Sequence, residues 1–124
     1  MISISTLKQF LKQYIICERR IDELEQMQKK FSEHSAKYAT IGKTLEMERD
    51  KLIERCADIL FILGFLPFES LERQIMDSIY LKGRSLKQTA FDTGYSYGHC
   101  ANVEAAAMKK LINFQEVQDR IGCR

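Results

Sequence analysis

Seven apolar residues, Leu7, Phe10, Tyr14, Cys17, Ile21, Leu24 and Phe31, recur at spacings of three and four, with polar Gln28 interrupting the series. This is a helical period, and it excludes a strand, whose side chains change face at every residue. The spacing predicts a helix of about 27 residues with one apolar seam. Lys8, Lys12, Glu18, Arg19, Arg20, Asp22, Glu23, Glu25, Lys29 and Lys30 keep its other faces in water. Such a seam closes either on the next helix of the same chain, as a hairpin arm, or on a second copy, as a coiled coil and homodimer. The periodicity is identical in both cases.

The chain has a single proline, which leaves the rest free to form long helices, so the expected fold class is all-α. Ser32 to Thr44 breaks the period with small and polar residues and Gly42, and reads as a connection with room for a short helical turn. A second helix is expected from about Thr44 to Leu63, with Leu45, Leu52, Cys56, Ile59, Leu60 and Leu63 on its apolar face. Gly64 and Pro67 mark a boundary, and a third helix is expected from Phe68 to Leu81 on Phe68, Leu71, Ile75, Met76 and Ile79. The resulting architecture is an N-terminal long helical hairpin, residues 1–65, serving oligomerisation or partner binding, followed by a C-terminal helical unit, residues 66–124.

Several function classes recede on composition. The apolar run from Ile59 to Phe68 is broken by Gly64 and Pro67 and is too short to span a membrane. The N-terminus lacks the basic start and cleavage site of a signal peptide, so a cytoplasmic location is expected. Cys17, Cys56, Cys100 and Cys123 are scattered, which favours reduced, mostly buried thiols over a disulfide framework or a zinc site. His34 and His99 fall in different segments, no glycine-rich phosphate loop occurs, and neither an enzyme, a metal, a cofactor nor a small-molecule substrate is expected. The net charge is only +2, split evenly between the halves. Any nucleic-acid binding therefore rests on local placement of charge or on a second molecule.

Gly83 to Cys100, "GRSLKQTAFDTGYSYGHC", carries the most specific local signals. Ser85 caps a short helix over Leu86 to Thr93, Gly94 supplies a turn, and Ser96 caps a helix running through Leu111. Two helices joined by a turn of about three residues with glycine form a helix-turn-helix. Within the unit Ala90 provides a small side chain at the crossing, and Gly94 suits a left-handed backbone. Tyr95 is expected to fill an apolar slot after the turn, and Cys100, Val103, Ala107 and Leu111 to form the inner face of the second helix.

Phe68 to Leu111 resembles the fourth region of bacterial sigma factors. The resemblance rests on Arg73, Tyr80, Gly83, Ser85, Ala90, Gly94, Ser96, Ala107 and Leu111, within "ERQIMDSIYLKGRSLKQTAFDTGYS" and "AAAMKKL". With the helical N-terminal half, the chain is similar to small phage-encoded regulators of the ArpU and RinA kind, which control late genes. The resemblance implies a promoter-binding regulator with double-stranded DNA as partner and RNA polymerase as a second one. The second helix differs from the family pattern in carrying no Arg or Lys before Lys109, and it contains Glu104.

In a helix-turn-helix the second helix meets base edges and the first crosses the phosphate backbone. Tyr97, His99, Ala101, Asn102 and Ala105 are the candidate base contacts: Asn102 for adenine, His99 for guanine, and Ala101 and Ala105 for thymine methyl groups. Lys82, Arg84, Lys87, Gln88 and Ser96 are the candidate phosphate contacts. Two other functions compete. One is a packaging protein like phage small terminase subunits. The other is a protein-only adaptor for RNA polymerase.

Overall fold

The computed structural model describes residues 1–32 and 39–122. The described residues are all-α: α1 (Ile4–Leu11), α2 (Gln13–Ser32), α3 (Ala39–Leu63), α4 (Leu71–Met76), α5 (Leu86–Thr93), α6 (Tyr97–Ile112) and α7 (Gln115–Gly122). A π-helical turn, Asp77–Leu81, continues α4. No helix among them is long and apolar enough to cross a membrane. His34, Cys123 and part of the expected Ser32–Thr44 connection lie outside the described residues.

The expected N-terminal helix is bent at Lys12 into α1 and α2. Ser3 starts α1 by accepting a hydrogen bond from the Thr6 amide at 3.1 Å. The bend has a packing cause. Leu7, Phe10 and Leu11 of α1 enter the core with the end of α3 and with α6, whereas Cys17 and Leu24 of α2 are buried farther along the arm. A straight helix cannot aim one stripe at both targets.

α2 and α3 form the hairpin, and the seam closes within the chain. Leu7, Phe10, Cys17 and Leu24 are buried, and Tyr14, Ile21 and Phe31 are half-buried. The antiparallel register is fixed by polar links: Arg55 Nη1 donates to Gln13 Oε1 at 2.8 Å, and Arg20 Nε to Glu48 Oε1 at 3.0 Å. Gln28, the polar seam residue, accepts from Arg49 at 3.2 Å and donates to the Gly42 carbonyl at 3.4 Å. α3 starts at Ala39, five residues before the expected Thr44, so Ala39–Thr44 is helical and not a connection. Its buried face also differs. Leu60 is 41% exposed while Ile62 is fully buried, because α3 ends inside the core and the covered side turns there toward the C-terminal helices.

The third helix begins later than Phe68. Ser70 is its N-cap, accepting from the Arg73 amide at 3.1 Å, and Phe68 is left 80% exposed. Arg73 pairs with Asp77 one turn on at 2.8 Å. In the π turn the Lys82 amide reaches back five residues to the Asp77 carbonyl at 3.0 Å.

One core joins the two halves of the chain. Leu7, Phe10 and Leu11 meet Ile59, Ile62, Leu63, Met76, Tyr80, Met108 and Leu111, so residues on both sides of position 65 share it. α7, which the apolar spacing of Val117 and Ile121 signals in retrospect, closes this core. Arg120 pins it to α3, donating to buried Asp58 at 2.7 Å and lying 4.0 Å over the Phe61 ring. Gln118 pins it to the N-terminus, accepting from the Ile2 amide at 2.8 Å. Cys17, Cys56 and Cys100 are free thiols, and burial pushes Cys17 up and Cys56 up to about 11.

Candidate nucleic-acid interface

The helix-turn-helix is built from short-range hydrogen bonds. Ser85 Oγ accepts from the Gln88 amide at 3.1 Å while Gln88 Oε1 accepts from the Ser85 amide at 3.0 Å, a reciprocal capping box that starts α5. Gly94 ends α5 with φ 79° and ψ 5°, and its amide donates to the Ala90 carbonyl at 3.0 Å. This is the left-handed conformation that a Cβ disfavours. Ser96 Oγ then accepts from the His99 amide at 3.1 Å and starts α6.

Two hydroxyl groups set the seat of α5. Ser78 Oγ, in the π turn, lies 2.8 Å from Thr89 Oγ1, and both residues are buried. Thr93 Oγ1 donates to the Thr89 carbonyl at 2.8 Å and lies 3.8 Å from Cys100 Sγ. The scaffold helix thus meets its neighbours through satisfied polar contacts. Large aliphatic side chains are not required there.

Beyond Tyr97, which is exposed in the first turn, α6 divides into two faces. Cys100, Glu104, Ala107, Met108 and Leu111 are buried and Val103 is half-buried. Tyr97, Gly98, His99, Asn102, Ala105 and Ala106 are exposed, and Ala101 is half-buried. All five candidate base contacts therefore have part or all of their surface open, with Tyr97 57% exposed. Tyr95 does not fill an inner slot. It is on the surface beside the His99 ring, with centroids 5.0 Å apart and planes at 36°. Gly94 ends α5 and Ser96 starts α6, so backbone and hydroxyl contacts close the turn without the tyrosine ring.

The phosphate candidates fall into distinct states. Lys82 and Lys87 are exposed. Arg84 forms an ion pair with Asp92 of α5, so its guanidinium is partly neutralised in place. Gln88 uses its carbonyl oxygen in the capping box, and Ser96 uses its hydroxyl as a cap. At the far end of α6, Lys110 pairs with Glu72 at 2.6 Å.

Glu104 is the residue that its charge alone misplaces. It is 8% exposed and points into the molecule, where Tyr80 Oη donates to its Oε2 at 3.1 Å and Lys8 Nζ lies 3.5 Å from its Oε1. Burial, then the Glu104 charge and the hydrogen bond to it, push the Tyr80 phenol well above its ordinary range. No local pattern in the sequence links Lys8 or Tyr80 to this position. The spacing of Cys100, Glu104, Ala107 and Leu111 is the signal that places the carboxylate inside. As a result the outer face of α6 carries no charged side chain from Tyr97 to Met108.

Comparison with protein families, with curated proteins and with solved structures finds no match for this chain.

Proposed function

We propose that the chain is a sequence-specific DNA-binding regulator of transcription, of the phage late-gene kind, acting at promoters together with RNA polymerase. The observation that carries the reading is the open face of α6 beside a capped scaffold helix. Asn102 and the four other candidate base contacts are exposed or half-exposed on α6, and Lys82 and Lys87 are exposed. With so few cations, duplex affinity needs a second attachment. The arm or a second copy supplies it in this proposal. Because the seam of α2 is filled by α3, a partner meets the outer side of the arm.

The test is to incubate the purified full chain with fragmented DNA of its source at about 50 mM and about 200 mM salt and to sequence what is retained. Enrichment of one short site, relaxed by Asn102→Ala and only weakened by Lys87→Ala, is the expected result. Duplex binding that stays absent at the lower salt, with and without polymerase, refutes the proposal.

The protein-only adaptor is the second reading. It is favoured by Phe91, which is 88% exposed on α5, an apolar side chain suited to a protein surface. Phe91→Ala abolishing a polymerase contact while α6 substitutions leave activity intact selects that reading. A ring of many subunits in a solution mass measurement selects DNA packaging.

A further inference from the structure

The chemistry of the outer face of α6 goes beyond duplex binding to the class of bases it suits, an inference that rests on the DNA-binding reading. In the major groove, guanine is read chiefly by Arg or Lys on O6 and N7, and cytosine by a carboxylate accepting from N4. Over its first three turns, the part a helix-turn-helix presents to base edges, α6 withholds both. No Arg or Lys precedes Lys109, which is exposed one turn beyond Ala105, and Lys110 beside it is paired to Glu72. The one carboxylate in the helix, Glu104, is turned inward onto Tyr80 and Lys8. His99, the remaining donor for guanine, has its ring against Tyr95.

What the face does offer is a primary amide and small apolar side chains. Asn102 is exposed and has the donor and acceptor that match adenine N6 and N7. Ala105 and Ala106 are exposed and Ala101 is half-exposed, and a methyl side chain is the complement of the thymine C5-methyl group. Gly98 adds room at the first turn, since nothing lies within 4 Å of where its Cβ would be. We propose that α6 selects an A·T-rich major-groove site, with Asn102 reading adenine and Ala105, with Ala101, reading thymine through its methyl group.

Replacing thymine by uracil in the duplex tests this directly, because it removes the methyl group, preserves pairing and leaves the protein unaltered. A random duplex pool is first selected with the full chain at about 50 mM salt. Each enriched thymine is then changed to uracil singly. The expected result is an A·T-rich site in which one or two uracil substitutions each lower affinity about fourfold, the effect of one buried methyl group. Ala105→Gly is expected to lower affinity for the thymine duplex and to abolish the difference between thymine and uracil at one position. Asn102→Ala is expected to remove the preference at an adenine. Enrichment of a G·C-rich site, or equal binding of thymine and uracil duplexes throughout, overturns the inference while leaving DNA binding standing. Failure to enrich any duplex overturns the DNA-binding reading and this inference together.

Discussion

Tyr80→Phe isolates the contact that holds α6 against the rest of the molecule. The ring of Tyr80 is 2% exposed and its hydroxyl donates to Glu104 Oε2 at 3.1 Å. Phenylalanine fills nearly the same volume, so no large cavity opens and the lost term is the hydrogen bond. A hydrogen bond to a charged group contributes about 1.5–3 kcal/mol. The carboxylate keeps Lys8 at 3.5 Å, but that lysine is half in water and its attraction is worth about 0–1 kcal/mol. A loss of about 2 kcal/mol is therefore expected. At about 2.1 cal/mol/K of unfolding entropy per residue over 124 residues, that lowers Tm by about 8 °C. Glu104→Gln keeps an acceptor for the phenol and removes a buried charge, so it is expected to change stability by less than about 1 kcal/mol. In the Glu104→Gln background, Tyr80→Phe then costs only a neutral hydrogen bond, about 0.5–1.5 kcal/mol.

Alkaline pH provides a second readout of the same contact. The folded chain holds the Tyr80 proton more tightly than the unfolded chain, whose tyrosine ionises near 10. Its stabilisation is complete below that pH and is lost as pH rises above it. Denaturant titrations between pH 8 and 11 are expected to show a falling stability that is shallower in Tyr80→Phe, with the remaining fall coming from other groups raised by burial, Tyr14 and Cys56 among them. Equal costs of Tyr80→Phe in both Glu104 backgrounds, together with an unchanged alkaline slope, refute the proposed contact.

Three further outcomes are expected. Gly94→Ala destabilises by about 1–2 kcal/mol through backbone conformation alone, since nothing surrounds the added Cβ, and Gly94→Asn by less; urea unfolding checks both. Arg120→Ala loses about 1–3 kcal/mol because the buried Asp58 carboxylate gives up a charge-assisted hydrogen bond, and Arg120→Lys recovers part of it; equal melting temperatures for wild type and Arg120→Ala contradict this. If Lys82 and Lys87 make the phosphate contacts and Arg84 stays with Asp92, the logarithm of duplex affinity falls with that of salt at a slope of about −2 per protomer; Lys87→Ala lowers it to about −1. A slope near −6 assigns the contacts elsewhere.

The helix-turn-helix was legible because its determinants act over a few residues. Ser85 and Gln88 cap each other across three positions, Gly94 takes its left-handed conformation beside them, and Ser96 acts within one turn. The bend at Lys12 and the exchange of Leu60 for Ile62 depend instead on what covers each side of a helix. Periodicity identifies an apolar stripe. It does not identify two successive partners in different directions, which is what α1 and α2 have.

Glu104 shows the same limit in the candidate site. A carboxylate on a helix is usually solvated, and its helical position places it opposite that expectation, on the inner face with Cys100 and Ala107. The conflict is resolved by partners 24 and 96 residues away in the chain: Tyr80 donates to one oxygen and Lys8 faces the other. Their placement depends on the π turn and on the bend that brings α1 against α6. The same elements that bury the charge also leave the outer face of α6 neutral. In the proposed interface, base preference therefore depends on residues that never meet a base.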